Sequence, residues 1–319
     1  MVVTRASTTR SAGARVSAGP SVLFIGGYAR SGSTIVDRAV GAADGRVSVG
    51  EIRFIWRRGF LGDQPCGCGE PFGACGFWRE VVATAWGGTR GLDVEEVIRL
   101  QDLVDRWWRI PQVGLRAGAR IRRDLYAYAG ALRLLYAAIR HVSGSQVIVD
   151  SSKDASHGWV LRGLGSSIDL SVLHLVRDSR AVAYSLCERR KYDPASGETW
   201  GGHGLGRTIA GWTATNALVG ALGRVPSVPY LRLAYEEFCE DPDRALARVA
   251  VLLGEPLPSA LGHRRIDPGI QHQVAGNPVR FVRGPIEIRP DDEWRRSMSP
   301  VRRGVVTAAT WPMLHTGAP

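Results

Sequence analysis

The sequence predicts an α/β protein in which a central parallel sheet carries helices on both faces. Short runs of β-forming residues recur along the chain at Ser21–Ile25, Gln146–Val149, Leu170–Val176 and Val228–Leu233. Each is followed by a stretch with helical spacing of its apolar residues, and strands that alternate with helices belong to a parallel sheet covered on both sides. The first run ends at Gly26-Gly27, so that strand, Gly-rich loop and helix follow one another directly.

In order along the chain, residues 1–20 are rich in Ser, Thr, Ala, Gly and Arg with no hydrophobic period, the composition of a disordered basic tail. The single domain is then expected over 21–319. After the first strand, Ile35, Val36, Ala39 and Val40 recur at helical spacing. From Asp93 to His141, Val94, Val97, Ile98, Leu125, Leu132, Leu135, Tyr136 and Ile139 have helical spacing. This segment reads as two helices broken near Pro111 and Gly114, part of a helical cap inserted at about 60–142. Helices are further expected at about 155–164, 178–190 and 241–254. The Gly-rich stretch 191–206 is either a mobile lid or an exposed connection.

Length and composition set the frame for function. The 319 residues, 45% of them hydrophobic, are enough for a substantial core. No apolar run approaches the roughly 20 residues that cross a bilayer, and the first twenty residues contain no signal-type apolar stretch. Five cysteines are too few, and odd in number, for a disulfide framework, which makes a reducing cytoplasm the expectation. The net charge of +11 suits nucleic acid, a membrane surface or a small polyanion. No RNP, zinc-finger or helix-turn-helix pattern supports nucleic acid. Only two of the 41 basic residues are lysines, Lys153 and Lys191. Where arginine is the default cation, a retained lysine points to a need for a compact, mobile charge.

The strongest local signal is Gly27-Tyr28-Ala29-Arg30-Ser31-Gly32-Ser33-Thr34 between the first strand and its helix. It is the phosphate-loop pattern G-x-x-x-x-G-K-[ST] with Ser33 in the lysine position. Backbone N–H groups and the helix dipole still favour a phosphate there. Loss of the lysine argues against nucleoside triphosphate hydrolysis and leaves Arg30 as the cation. A second cluster, Arg177 with Ser185 and Arg189, starts at a strand's carboxyl end, where ligands of open α/β sheets bind. A third, Asp150-Ser151-Ser152-Lys153-Asp154, ends another buried strand.

Together these features resemble the sulfotransferases that use 3′-phosphoadenosine 5′-phosphosulfate, and most closely the bacterial relatives of tyrosylprotein sulfotransferases. The resemblance spans about Val22 to Gly254 plus His272–Arg280. It implies the P-loop-containing nucleotide-hydrolase-like sulfotransferase fold. It also implies that Arg30, Ser31, Gly32, Ser33 and Thr34 bind the 5′-phosphosulfate, and that Arg177, Ser185 and Arg189 bind the 3′-phosphate. Tyr235 would lie by the nucleotide, and the His272, Asn277 and Arg280 segment would close over it. Glu51, in Gly50-Glu51, inherits the role of catalytic base, with Lys153 and Arg30 stabilising developing charge. The competing reading of Glu51 is a surface carboxylate paired with Arg53 or Arg57; His157, His203 and His272 are the fallback bases.

The reaction expected is sulfuryl transfer to a small-molecule or peptidyl hydroxyl, with no metal required and neither nucleic acid nor membrane as partner. The alternative is a nucleoside or small-molecule kinase with a degenerate phosphate loop. Cys66, Cys68 and Cys75 fall outside the usual C-x2-C zinc spacing and offer no fourth ligand in the sequence, so a packed turn is favoured over a metal site or a disulfide.

Overall fold

The computed structural model describes residues 19–114, 118–189, 191–193, 198–255 and 264–314. The expected tail therefore lies outside the described residues up to residue 18. Gly19 and Pro20 belong to the fold instead: their carbonyls accept from Arg140 Nη1 (3.1 Å) and the Asp169 amide (2.9 Å).

The chain begins with β1 (Ser21–Gly26), α1 (Ser33–Gly41) and β2 (Arg46–Gly50). A π-helical segment (Ile55–Leu61) leads to α2 (Gly76–Trp86), α3 (Val94–Val104), α4 (Ile110–Gly114) and α5 (Ala119–Ser143). Then follow β3 (Val147–Lys153), α6 (Ala155–Arg162), β4 (Asp169–Val176) and α7 (Ser179–Cys187). A small hairpin, β5 (Lys191–Asp193) with β6 (Glu198–Trp200), precedes α8 (Leu205–Leu222), β7 (Tyr230–Ala234), α9 (Tyr235–Glu240) and α10 (Pro242–Leu253). The described chain ends with β8 (Arg265–Ile266), β9 (Ile286–Glu287), α11 (Glu293–Ser297) and α12 (Pro300–Leu314). Among the described residues no helix is long and apolar enough to cross a membrane.

Five strands form one sheet in the order β2-β3-β1-β4-β7, and every pairing is parallel. The β1 strand is central and its side chains alternate between two apolar clusters. Val22 and Phe24 face the cluster that includes Trp56, Trp78 and Leu132, whereas Leu23 and Ile25 face Val36, Phe238 and Val249. The α/β layering expected from the sequence is therefore present. The inserted helices share the first of these clusters, so they are continuous with one face of the sheet.

Several elements were not anticipated. The β2 strand is a short RVSVG run, α8 carries apolar residues on too many sides for a clean stripe, and α2 buries Trp78, Val81 and Val82 on one face in a stripe too short to stand out. The break expected near Pro111 and Gly114 is occupied by the short α4, with Pro111 in its first turn, where the missing N–H costs nothing.

Beneath the carboxyl end of β3, His157 on α6 is fully buried between two carboxylates. Its Nδ1 lies 3.4 Å from Asp105 and its Nε2 3.2 Å from Asp150. Burial disfavours the imidazolium, but hydrogen bonds and charge from Asp105 and Asp150 outweigh it and raise its pKa to about 9. A raised folded-state pKa contributes stability that is complete below the unfolded value near 6.5 and lost as pH climbs through about 9. Urea unfolding of the whole chain is thus expected to lose up to roughly 3 kcal/mol between pH 6.5 and pH 9. His157→Gln should flatten that decline; an equally steep decline in the variant would remove His157 from the account.

Candidate active site

The phosphate-type loop is fixed by close backbone approach. The Gly27 amide donates to the Lys153 carbonyl (3.0 Å), and a Cβ on Gly27 would stand 2.3 Å from the Leu175 carbonyl oxygen, so the loop sits over the carboxyl ends of β3 and β4. Gly32 has φ 88°, and a Cβ there would lie 2.3 Å from the Tyr235 ring. Arg30 (φ 67°) and Lys153 (φ 66°) also adopt left-handed backbone conformations. Such strain in non-glycine residues collects at sites the surrounding fold over-determines. The nine-residue α1 then starts with no side-chain cap, leaving its first amides facing the loop.

These features border a cleft of about 270 Å³. Arg30, Gly32, Ser33 and Thr34 form one wall; Glu51, Lys153, Arg177, Arg189, Tyr235, Asn277 and Asp291 are among the residues lining the rest. Ser31 lies buried below the loop, and its hydroxyl has no hydrogen-bond partner among the described residues. Ser185 accepts from Arg30 Nε (2.9 Å) and faces an adjoining cleft of about 320 Å³ that shares Arg30, Arg189 and Asn277. Tyr192 and Gly201, from the stretch read as lid or connection, line that second cleft.

Glu51 is 4% exposed and follows Gly50, whose φ of 74° and 2.5 Å approach to the Val274 carbonyl admit no side chain. The Glu51 amide donates to that carbonyl (2.8 Å). Its carboxylate accepts from Lys153 Nζ. The pairing of Glu51 with Arg53 or Arg57 considered from the sequence does not occur. Arg53 holds Asp105 (3.0 Å) and Asp154 (3.2 Å), and Arg57 holds Asp102. The ammonium missing from the loop at Ser33 is thus present in the same cleft, delivered by Lys153 at the end of β3.

Three arginines converge opposite. Arg177 Nη1 donates to the Arg30 carbonyl (2.9 Å), and its guanidinium lies over the Tyr235 ring at 5.0 Å. Burial first, then the charges of Arg177 and Arg189, push the Arg30 pKa below its ordinary value. Asp291 answers this concentration of charge, 3.1 Å from Arg177 and 2.9 Å from Arg189. Burial works against its ionised form, but hydrogen bonds and charge from Arg189 and Arg177 hold its pKa below the usual carboxylate range. Asp291 was not anticipated: it stands in an acidic pair, Asp291-Asp292, with no motif around it.

Two expected ligands are placed elsewhere. Arg280 is buried and bonds the Gly276 carbonyl within its own loop, because that loop needs an internal donor to satisfy its carbonyls. Arg38 does the same from α1, donating to the carbonyls of Val279 and Val282. His272 points away from the cleft to Cys66, Cys68 and Cys75 and supplies the fourth ligand-type atom that the sequence did not reveal. All three cysteines are free thiols, so the disulfide reading of Cys75 is set aside. Of the fallback bases, His157 is fully enclosed and does not line the cleft.

No protein-family profile and no curated protein matches the chain. Solved structures do. The sulfotransferase domain of the Synechococcus PCC 7002 olefin synthase aligns at 20% identity and TM-score 0.46, over 92% of this chain and 95% of that one. Sulfotransferase STF1 from Mycobacterium tuberculosis H37Rv aligns at 13% identity and TM-score 0.41, over 75% and 69%. The sulfotransferase domain from the curacin biosynthetic pathway aligns at 14% identity and TM-score 0.46, over 91% of this chain and 96% of that one, so the chain is similar to sulfotransferase domains along most of its length.

Proposed function

We propose that the protein is a sulfotransferase that moves a sulfuryl group from 3′-phosphoadenosine 5′-phosphosulfate to a hydroxyl of a small-molecule or peptidyl acceptor. The observation that carries this reading is the cleft itself: an uncapped helix start, three arginines and a lysine surround one buried carboxylate. Such a site suits a ligand with several anionic groups whose reaction partner must lose a proton.

In this reading the amides of the loop, with Ser33 and Thr34, hold the 5′-phosphosulfate. Arg177, Arg189 and Ser185 hold the 3′-phosphate by charge-assisted hydrogen bonds, which requires Asp291 to yield its place beside the two arginines. Tyr235 and Asn277 flank the nucleotide. Lys153 and Arg30 stabilise negative charge on the leaving oxygen, and Glu51 takes the acceptor proton as the new bond forms. When the donor anion draws the Lys153 ammonium toward itself, the Glu51 carboxylate is released from its partner and free to act as base.

Titration calorimetry of the full chain with 3′-phosphoadenosine 5′-phosphate tests the donor assignment. A one-to-one complex is expected, with affinity falling as salt rises. Absence of heat with both this product and the sulfate donor would reject it. Transfer of labelled sulfate to a panel of a phenol, a tyrosyl peptide and a glycoside would then sort the acceptor classes.

A further inference from the structure

Outside the cleft, the sulfurs of Cys66, Cys68 and Cys75 and Nδ1 of His272 all lie within 4.8 Å of one another. Cys66 and Cys75 come from the inserted region and are almost wholly buried; His272 comes from a loop about two hundred residues further on. We propose that these four side chains bind one zinc ion in a closed tetrahedral Cys3His site, which fastens the loop bearing Val274 and Asn277 to the inserted helices.

Four of the six spacings match the edges of a coordination tetrahedron, and all six lie within 4.8 Å. Zinc–sulfur bonds of about 2.3 Å and zinc–nitrogen bonds of about 2.0–2.1 Å imply edges of about 3.8 Å between sulfurs and about 3.6 Å between sulfur and nitrogen. Cys75 Sγ lies 3.7 Å from Cys66 Sγ, 3.6 Å from Cys68 Sγ and 3.3 Å from His272 Nδ1; Cys66 Sγ lies 3.7 Å from the same nitrogen. Soft thiolates with an imidazole select zinc over the oxygen-seeking cations. Four protein ligands leave no open position, so the ion is structural rather than catalytic.

The surroundings hold the ligands in place. The Phe77 ring stacks on His272 at 4.8 Å and 11°, and Trp78 Nε1 donates to the His272 carbonyl (3.0 Å). The Gly67 amide donates to the Gln273 carbonyl (2.9 Å), and the Gly69 amide to the Cys66 carbonyl (2.7 Å). Both glycines of the Cys-Gly-Cys-Gly run have a reason. A Cβ on Gly67 would stand 2.5 Å from the Gln271 carbonyl, and Gly69 has φ 91°. Binding exchanges three thiol protons, released to water, for one dication, leaving a net charge of −1 beside Arg283, which donates to the Cys68 carbonyl.

Val274, two residues beyond His272, pairs with Val49 and Glu51 through 2.9 Å and 2.8 Å hydrogen bonds. The ion thus positions the loop that touches the proposed base. Metal content does not depend on sulfuryl transfer, so this proposal and the functional one fail separately. Elemental analysis of the full chain, purified without affinity metals, is expected to give one zinc per chain. Cys75→Ser and His272→Ala should each lower this at least tenfold. Should either variant fail to fold, the wild type is stripped and reloaded with cobalt, which should give the intense visible bands of a tetrahedral thiolate site. Lack of stoichiometric zinc after incubation with zinc salt, stoichiometric iron in its place, or unchanged zinc in a folded Cys75→Ser protein would overturn the proposal.

Discussion

Glu51→Gln is expected to lower the turnover of sulfuryl transfer by about a hundred- to ten-thousand-fold, the range typical of removing a general base. Nucleotide binding should be kept. Glutamine has the same shape and retains a carbonyl oxygen toward Lys153, so the hydrogen bond in the cleft survives while proton acceptance is lost. The substitution also leaves the Lys153 ammonium without its buried counter-charge, which favours an anionic ligand. The dissociation constant of 3′-phosphoadenosine 5′-phosphate should therefore be unchanged or smaller. A parallel loss of binding and turnover would instead make Glu51 a structural partner of Lys153 and of the 271–280 loop.

Arg177→Ala acts on the other half of the site. Removing one partner of a buried, hydrogen-bonded charge pair costs about 2–5 kcal/mol, so nucleotide affinity should fall by roughly thirtyfold or more. Arg177 is 7% exposed, supports the loop through the Arg30 carbonyl and stacks over Tyr235, so its loss removes a charge and loosens both neighbours. The affinity of the variant should also depend less on salt, since one cation fewer faces the ligand. Calorimetry at two ionic strengths reads both effects. An unaltered dissociation constant would move the nucleotide out of this cleft.

Asp291 gives the arginine cluster a further meaning. A carboxylate held between Arg177 and Arg189 offsets the repulsion among three close guanidinium groups. It also marks where an anionic group of a ligand would be received. The surplus of +11 is thereby given one local destination, while other arginines form surface ion pairs such as those of Arg99 and Arg289.

The sequence by itself determined the alternation of buried strands and helices, because a parallel sheet covered on both faces needs short, continuously apolar runs. It also determined the loop between β1 and α1 and the strand-end positions of Lys153 and Arg177, since a phosphate-type loop and a strand terminus are written in consecutive residues. Only the tertiary structure decided which charges meet. The Glu51–Lys153 pair joins residues about a hundred positions apart, Asp291 carries no periodic or motif signal, and His272 reaches three cysteines from a loop about two hundred residues further along the chain. Local spacing encodes local backbone geometry; contacts between distant segments are fixed by how the apolar faces pack. Cys66, Cys68 and Cys75 therefore read as a turn when taken alone and as three corners of a tetrahedron once folding has supplied the fourth.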